Sequence, residues 1–254
     1  MATVAENLQA VKRRIASAAA RAGRETGSVS LIAVSKTQPA ALIEQAIVAG
    51  QQAFGENYVQ EAVAKMDQLA AMLGEPRARA LEWHLIGPLQ SNKTAVVAAR
   101  FAWVHSVERA KIAERLSAQR QQEQPALNVL LQVNVSGEAT KNGVMPAGVP
   151  ALAHAVAALP RLRLRGLMAV PEPTEDEALQ RARFRALREL RDALARDGLP
   201  CDTLSMGMRA DMESAIAVGS TLVRIGSAIF GARQATPEKG ACAWGPRGAE
   251  GARR

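Results

Sequence analysis

Short apolar runs alternate along the chain with longer stretches in which apolar residues recur every three or four positions. Ser30 to Ser35 (SLIAVS) is an apolar run between polar flanks, of strand length and apolar enough to be buried on both faces. Gln52 to Gly55, Glu82 to Ile86, Phe101 to His105, Ala126 to Val135, Leu162 to Ala169, Thr203 to Leu204 and Thr221 to Ile225 read as further strands. Helical patterns fill the intervals. A basic amphipathic helix from Val4 to Ala22 comes first, and Pro39 opens the next, with proline near its first turn. Asn57 to Leu73 carries apolar residues at 59, 62, 63, 66, 69 and 73. Further helices start at Ser91 and span Val107 to Gln122, Pro150 to Leu159 and Met212 to Val218. Thr174 is the expected cap of a long charged helix ending near Gly198.

Strands that alternate with helices at intervals of about 25 to 35 residues have the rhythm of a parallel sheet. Eight such units over residues 1–233 suit a closed barrel, which typically takes ~250 residues. The prediction is one α/β domain, a single (β/α)8 TIM-type barrel. An open doubly wound sheet would show a glycine-rich turn after its first strand. Ser35-Lys36-Thr37 stands there instead, with no G-x-G-x-x-G following. Residues 234–254 are rich in Gly, Pro, Ala and Arg and are expected to form a flexible basic tail.

Composition narrows the function. Apolar residues make up 48% of the 254, as in a globular chain. No apolar run approaches the ~18 residues of a membrane span, and the N-terminus carries no signal-peptide pattern. Cys201 and Cys242 fit no zinc spacing, and His84, His105 and His154 are scattered, so no metal site is expected. Two cysteines suit the reduced cytoplasm. The net charge of +8 raises nucleic-acid binding. Aromatics at 3% give no stacking platform, and Arg181, Arg183, Arg185, Arg188 and Arg191 share a helix with Glu189 and Asp192. That pattern is a solvated face, so no nucleic-acid partner is expected.

In such barrels the chemistry gathers where strands end. Lys36 directly follows LIAVS. A lysine there either snorkels to the rim or is desolvated until its neutral amine can attack an aldehyde. Ser205-Met206-Gly207-Met208 and Arg224-Ile225-Gly226-Ser227 follow the last two strands. They read either as ordinary turns or as a phosphate cradle of backbone N–H groups, in the place where these barrels often hold phosphate. Strand eight closes on strand one, so a phosphorylated aldehyde could span the two. Pyridoxal 5′-phosphate fits that description.

Five segments carry a resemblance: LIAVSKTQP, FGENYVQE, WHLIGPLQSNK, LSMGM and VRIGSAIFG. Together, from about Leu8 to Arg233, the chain resembles the pyridoxal phosphate homeostasis proteins, which look like the N-terminal barrel domain of alanine racemase standing alone. The resemblance implies that Lys36 carries pyridoxal phosphate as a Schiff base and that Asn57 and His84 line the cofactor face. It implies that Ser205, Gly207, Gly226 and Ser227 hold the phosphate, that Lys141 is a second lysine receiving or handing on the cofactor, and that Arg224 faces the pyridine nitrogen. A fixed charge beside that nitrogen keeps the ring a poor electron sink.

Racemases with this arginine add an acid/base group from another domain and subunit, which this chain lacks. Its one tyrosine, Tyr58, follows strand two. The expectation is therefore a monomeric carrier without catalytic residues, passing cofactor to apo forms of pyridoxal phosphate enzymes, rather than a racemase or lyase. A Schiff-base aldolase usually has its lysine on a later strand. Two positions depart from the family pattern: Arg209 stands where serine is common, and Gln38 where lysine often stands.

Overall fold

Each strand pairs in parallel with the next, and the eighth returns to the first. A computed structural model describes residues 2–137 and 142–231. The strands are β1 (Ser30–Val34), β2 (Ala53–Glu56), β3 (Glu82–Leu85), β4 (Trp103–Val107), β5 (Leu127–Gln132), β6 (Leu162–Met168), β7 (Thr203–Ser205) and β8 (Leu222–Ile225). They form a closed barrel in chain order. The closing pair sets Ile32 opposite Arg224 and Ala33 opposite Ile225. The helices are α1 (Val4–Arg21), α2 (Ala40–Val48), α3 (Val59–Leu73), α4 (Glu75–Arg79), α5 (Thr94–Arg100), α6 (Ala110–Gln119), α7 (Val149–Ala157), α8 (Glu177–Arg196), α9 (Met212–Val218) and α10 (Ser227–Phe230).

Period-two alternation along the strands makes two separate cores. Leu31, Phe54, Leu85, Val104, Val129, Leu204 and Val223 point outward and pack under the helices in one large cluster. Each full burial of such a side chain contributes about 1.5–3 kcal/mol. Trp103, Leu130 and Met168 point inward and form a small cluster inside the barrel. Inward residues of β3, β7 and β8 are polar: His84, Ser205 and Arg224, all buried.

Several boundaries differ from the pattern-based reading: Val107, expected to open a helix, ends β4, α6 starts only at Ala110, and β5 is shorter at both ends. β4 starts at Trp103 rather than Phe101, because Phe101 closes α5 in an extended conformation and packs with the outer layer. The cap of α8 is Asp176, whose carboxylate accepts from the N–H groups of Ala178 (2.9 Å) and Leu179 (3.2 Å); the Thr174 hydroxyl instead accepts from the N–H of Asp176. α4, with proline in its first turn, had no periodic signal long enough to read. The arginines of α8 behave as a solvated face, with Arg181 on Glu177 and Arg188 on Asp192. No helix among the described residues is long and apolar enough to cross a membrane. Residues 234–254 lie outside the described residues.

Candidate cofactor site

Lys36 continues the inward alternation of Ile32 and Val34, so the pleat aims it into the C-terminal mouth. The turn that carries it is strained. Thr37 sits at φ 63°, a left-handed conformation that a β-branched residue adopts only when its surroundings impose it. Those surroundings are a buried network. The Thr37 N–H donates to Glu61 Oε1 at 2.5 Å. Lys65 Nζ donates to the Ser35 carbonyl at 2.6 Å and to Glu56 Oε1 at 2.8 Å, and pairs with Glu61 Oε1 at 2.6 Å. The Ser35 hydroxyl donates to Glu56 Oε1 at 2.6 Å. Burial pushes the Glu56 carboxyl above the usual range, and Lys65 pulls it back. One ammonium thus ties both residues flanking Lys36 to β2 and α3.

The mouth is a cleft of about 300 Å³, at the small end of the ~300–1,000 Å³ range for ligand sites. Lys36, Asn57, Arg224, Gly226 and Ser227 all line it, together with Gln38 and Arg209. Val34, Ile86, Val170 and Met208 supply apolar wall. Among the described lining residues three are cations and none is a carboxylate. Arg224 is buried, its Nη2 donating to the Ala169 carbonyl at 2.9 Å and its Nη1 to Ser205 Oγ at 2.5 Å. Burial lowers it to about 10, opposed by the charge of Asp211, so it remains a cation at neutral pH.

Three expected positions fall elsewhere. His84 lies one layer below the cleft: the next inward residue of its strand, Ile86, takes the place at the wall. His84 instead faces the opening at the strand starts, beside Ser30, Trp103 and Thr203. Ser205 is at the same depth, its hydroxyl engaged by Arg224 and by His105 Nδ1 at 2.9 Å. Gly207 shapes the turn without lining the cleft. Its φ is +95°, and an added Cβ would come within 2.6 Å of the Cβ of Ala215. Lys141 lies outside the described residues. Lys65 had no sequence signal as a site residue, although its spacing of four from Glu61 on an apolar helix face could have raised one.

A (β/α)8 barrel with a lysine after β1 and a cationic mouth between β1 and β8 has the form of a cofactor-binding barrel. The profile of the alanine racemase N-terminal domain matches residues 7–234. The pyridoxal phosphate homeostasis protein of Pseudomonas aeruginosa is 57% identical over 233 residues, spanning 92% of this chain and 97% of that protein. The Escherichia coli K12 protein of the same name is 52% identical over 238 residues, with 92% and 98% covered. The structure of PipY from Synechococcus elongatus with pyridoxal phosphate bound superposes with a TM-score of 0.73 at 37% identity, covering 85% of this chain and 99% of that one. Alanine racemase from Corynebacterium glutamicum shares the fold, with a TM-score of 0.64 at 17% identity over 90% of this chain and 61% of its own. The chain belongs to the alanine racemase N-terminal domain family, in its pyridoxal phosphate homeostasis branch.

Proposed function

We propose that this protein holds pyridoxal 5′-phosphate in the C-terminal mouth of its barrel, bound covalently through Lys36, and serves cofactor homeostasis with little or no turnover. One observation carries the reading: Lys36, Arg209 and Arg224 face a single cleft with no carboxylate among its described lining residues. Such a mouth favours a ligand that brings negative charge. Bound pyridoxal phosphate supplies an aldehyde that condenses with a neutral amine, water leaving, together with a ring nitrogen and a phosphate.

The chain's own residues divide the rest of the work. The Thr37 turn and the Lys65 network hold the Lys36 backbone in place. Ile86, Val34 and Val170 give the ring an apolar wall that excludes water. Ser227, exposed at the cleft, and the cation of Arg209 are placed to take the phosphate end. Arg224 sits where a ring nitrogen would meet a group that gives up no proton at neutral pH. Fast carbanion chemistry would also need a second proton carrier. Tyr58 does not provide one, since it is 59% exposed and stands outside the cleft lining. The same reading, with the names of the relatives, makes apo forms of pyridoxal phosphate enzymes the recipients, in the cytoplasm.

The test is an absorption spectrum of the protein with pyridoxal phosphate, followed by borohydride reduction and peptide mapping. The label should fall on Lys36, and a single-enantiomer amino acid should keep its handedness. An unaltered band and label content in a Lys36→Ala, Lys141→Ala double variant would overturn the reading.

A further inference from the structure

The barrel interior holds a line of polar side chains that cofactor binding leaves unused. It starts at Glu82, half-exposed at the N-terminal mouth, and ends on Arg224, which lines the cleft. Glu82 Oε1 lies 2.8 Å from His84 Nε2, and His84 Nδ1 lies 3.0 Å from His105 Nε2. His105 Nδ1 lies 2.9 Å from Ser205 Oγ, which accepts from Arg224 Nη1 at 2.5 Å. His84, His105 and Ser205 are all 1% exposed or less.

The protons on this line can be placed from its acidic end and from the neutrality of its rings. A guanidinium only donates, so Ser205 Oγ accepts from Arg224. A carboxylate only accepts, so His84 carries its proton on Nε2. Burial pushes His84 below the usual histidine range despite Glu82, and pushes His105 further, helped by the charge of Arg224. Each ring is therefore neutral with one proton. His84 Nδ1 is then an acceptor, His105 Nε2 its donor, and His105 Nδ1 an acceptor for the one hydrogen of Ser205. The direction is fixed from the Glu82 end and by the neutrality of both rings, since Ser205 Oγ has a second lone pair that could also accept from an Nδ1–H of His105; with neutral rings every link has one donor and one acceptor. A proton added at His84 would force His105 into its other tautomer and strip the Ser205 hydrogen of its acceptor. A buried donor left without an acceptor loses the water it gave up on folding and gains nothing in return.

We propose that Glu82, His84, His105 and Ser205 are positioning residues. They form a one-way chain of hydrogen bonds that crosses the barrel and fixes the Arg224 guanidinium against the cleft. The chain joins an anion at one mouth to a cation near the other through neutral carriers. Arg224 is anchored at two nitrogens, by Ser205 and by the Ala169 carbonyl, which sets the plane of the group. Ser205 alone could not do this, because a hydroxyl rotates; His105 Nδ1 fixes where its hydrogen points and hence where its lone pairs lie. The His84 ring is held in turn by Trp103, stacked at 5.4 Å with 14° between planes. The consequence for a bound ring, that its nitrogen meets a guanidinium unable to swing away, rests on the cofactor reading. The polarity of the chain does not.

The chain is tested first without cofactor, by the imidazole 15N resonances of the three histidines, with exposed His154 as the solvent-facing reference. His84 and His105 should both be neutral Nε2–H tautomers at neutral pH. A charged ring, or an Nδ1–H tautomer at His105, overturns the chain. The second measurement uses pyridoxal phosphate labelled with 15N in its ring. The wild-type protein should show an unprotonated ring nitrogen. His105→Phe should move its protonation balance about tenfold, one pKa unit, towards the protonated form. Glu82→Ala, remote from the cleft, should mix the His84 tautomers and move the ring the same way by less, and it decides the matter if His105→Phe does not fold. A folded Glu82→Ala with wild-type histidine and ring resonances overturns the proposal. If the wild-type protein takes up no pyridoxal phosphate, the cofactor reading falls, while the tautomers still decide the chain.

Discussion

The two mouths of the barrel enclose openings of similar size, about 390 Å³ at the strand starts and about 300 Å³ at the strand ends. Their charges differ. At the strand starts, cations meet acids: Arg165 Nη2 pairs with Asp202 at 2.9 Å and its guanidinium lies 4.9 Å from the Trp103 ring centre, while Glu82 accepts from His84. At the strand ends, Lys36, Arg209 and Arg224 face the opening with no carboxylate among the described lining. The two openings therefore differ less in volume than in the charges that line them. Cations gathered at one opening favour a ligand that brings negative charge. This is the division expected of these barrels, with chemistry at the strand ends and stability at the strand starts.

The strongest way to break this contrast is to remove one cation from each end. Lys65 beneath the strand-end mouth is 6% exposed and pairs with Glu56, which is fully buried. Lys65→Met leaves that carboxylate, and Glu61, without their partner. The expected loss is about 3–5 kcal/mol, the usual cost of orphaning a buried charge. It also releases the strained Thr37 turn, so labelling at Lys36 should slow. Arg165→Met breaks a pair whose side chains are 22% and 57% exposed, and should cost about 1 kcal/mol or less. Urea unfolding midpoints of the two variants check this. Equal losses would mean that the strand-start pair matters as much as the buried network.

A gentler probe is pH. His84 and His105 are held neutral by burial, with folded values below their ordinary 6.5. The unfolded chain binds protons there more readily than the native one. The stability this contributes is present above pH 6.5 and is lost as pH falls below it, towards the depressed folded values. The slope per histidine approaches at most about 1.4 kcal/mol per pH unit, where the unfolded ring is protonated and the folded one is not. Arg224, lowered to about 10, titrates outside this window, and the raised Glu56 carboxyl acts with the opposite sign, so the histidine share is read from the difference between wild type and His105→Phe. Unfolding free energies measured between pH 5.5 and 7.5 should show the fall, and a folded His105→Phe should show a shallower one. A flat profile in the wild-type protein would mean that the two rings are not buried neutral.

The barrel was legible in the sequence because each strand and helix is a local pattern and eight strand–helix units have few ways to close. Lys36, Asn57, Arg224, Gly226 and Ser227 were legible because they stand at strand ends within recognisable segments, and the structure brings these five to one cleft. Depth was not legible. In HLI, alternation says that His84 and Ile86 share a face, but only the register of β3 against β2 and β4 decides which of them reaches the cleft. Ser205 sits in a readable turn motif, yet its hydroxyl is taken by Arg224 from the next strand, a partner that no local pattern names. Lys65 falls three residues after Ala62 and four before Leu69, on the apolar face of its helix, where no local pattern names a buried partner for a cation. It is buried because Ser35, Glu56 and Glu61 converge on it from three segments.

The smallest expected effect tests how far the strand-end mouth depends on charge rather than shape. Arg209 is exposed and lines the cleft. An exposed cation beside a phosphate is worth about 1 kcal/mol or less, roughly a fivefold change in affinity. Arg209→Ser should therefore weaken pyridoxal phosphate binding by no more than about fivefold, and by less at high salt, where exposed charges are screened. Titration of the absorption band at two ionic strengths measures both. The band position at saturation should not move, because it reports the ring and its bond to Lys36 rather than the phosphate. Tighter binding by the serine variant would show that the long side chain obstructs the phosphate end. The imbalance of the mouth would then rest on Lys36 and Arg224, the two cations that the barrel itself holds in place.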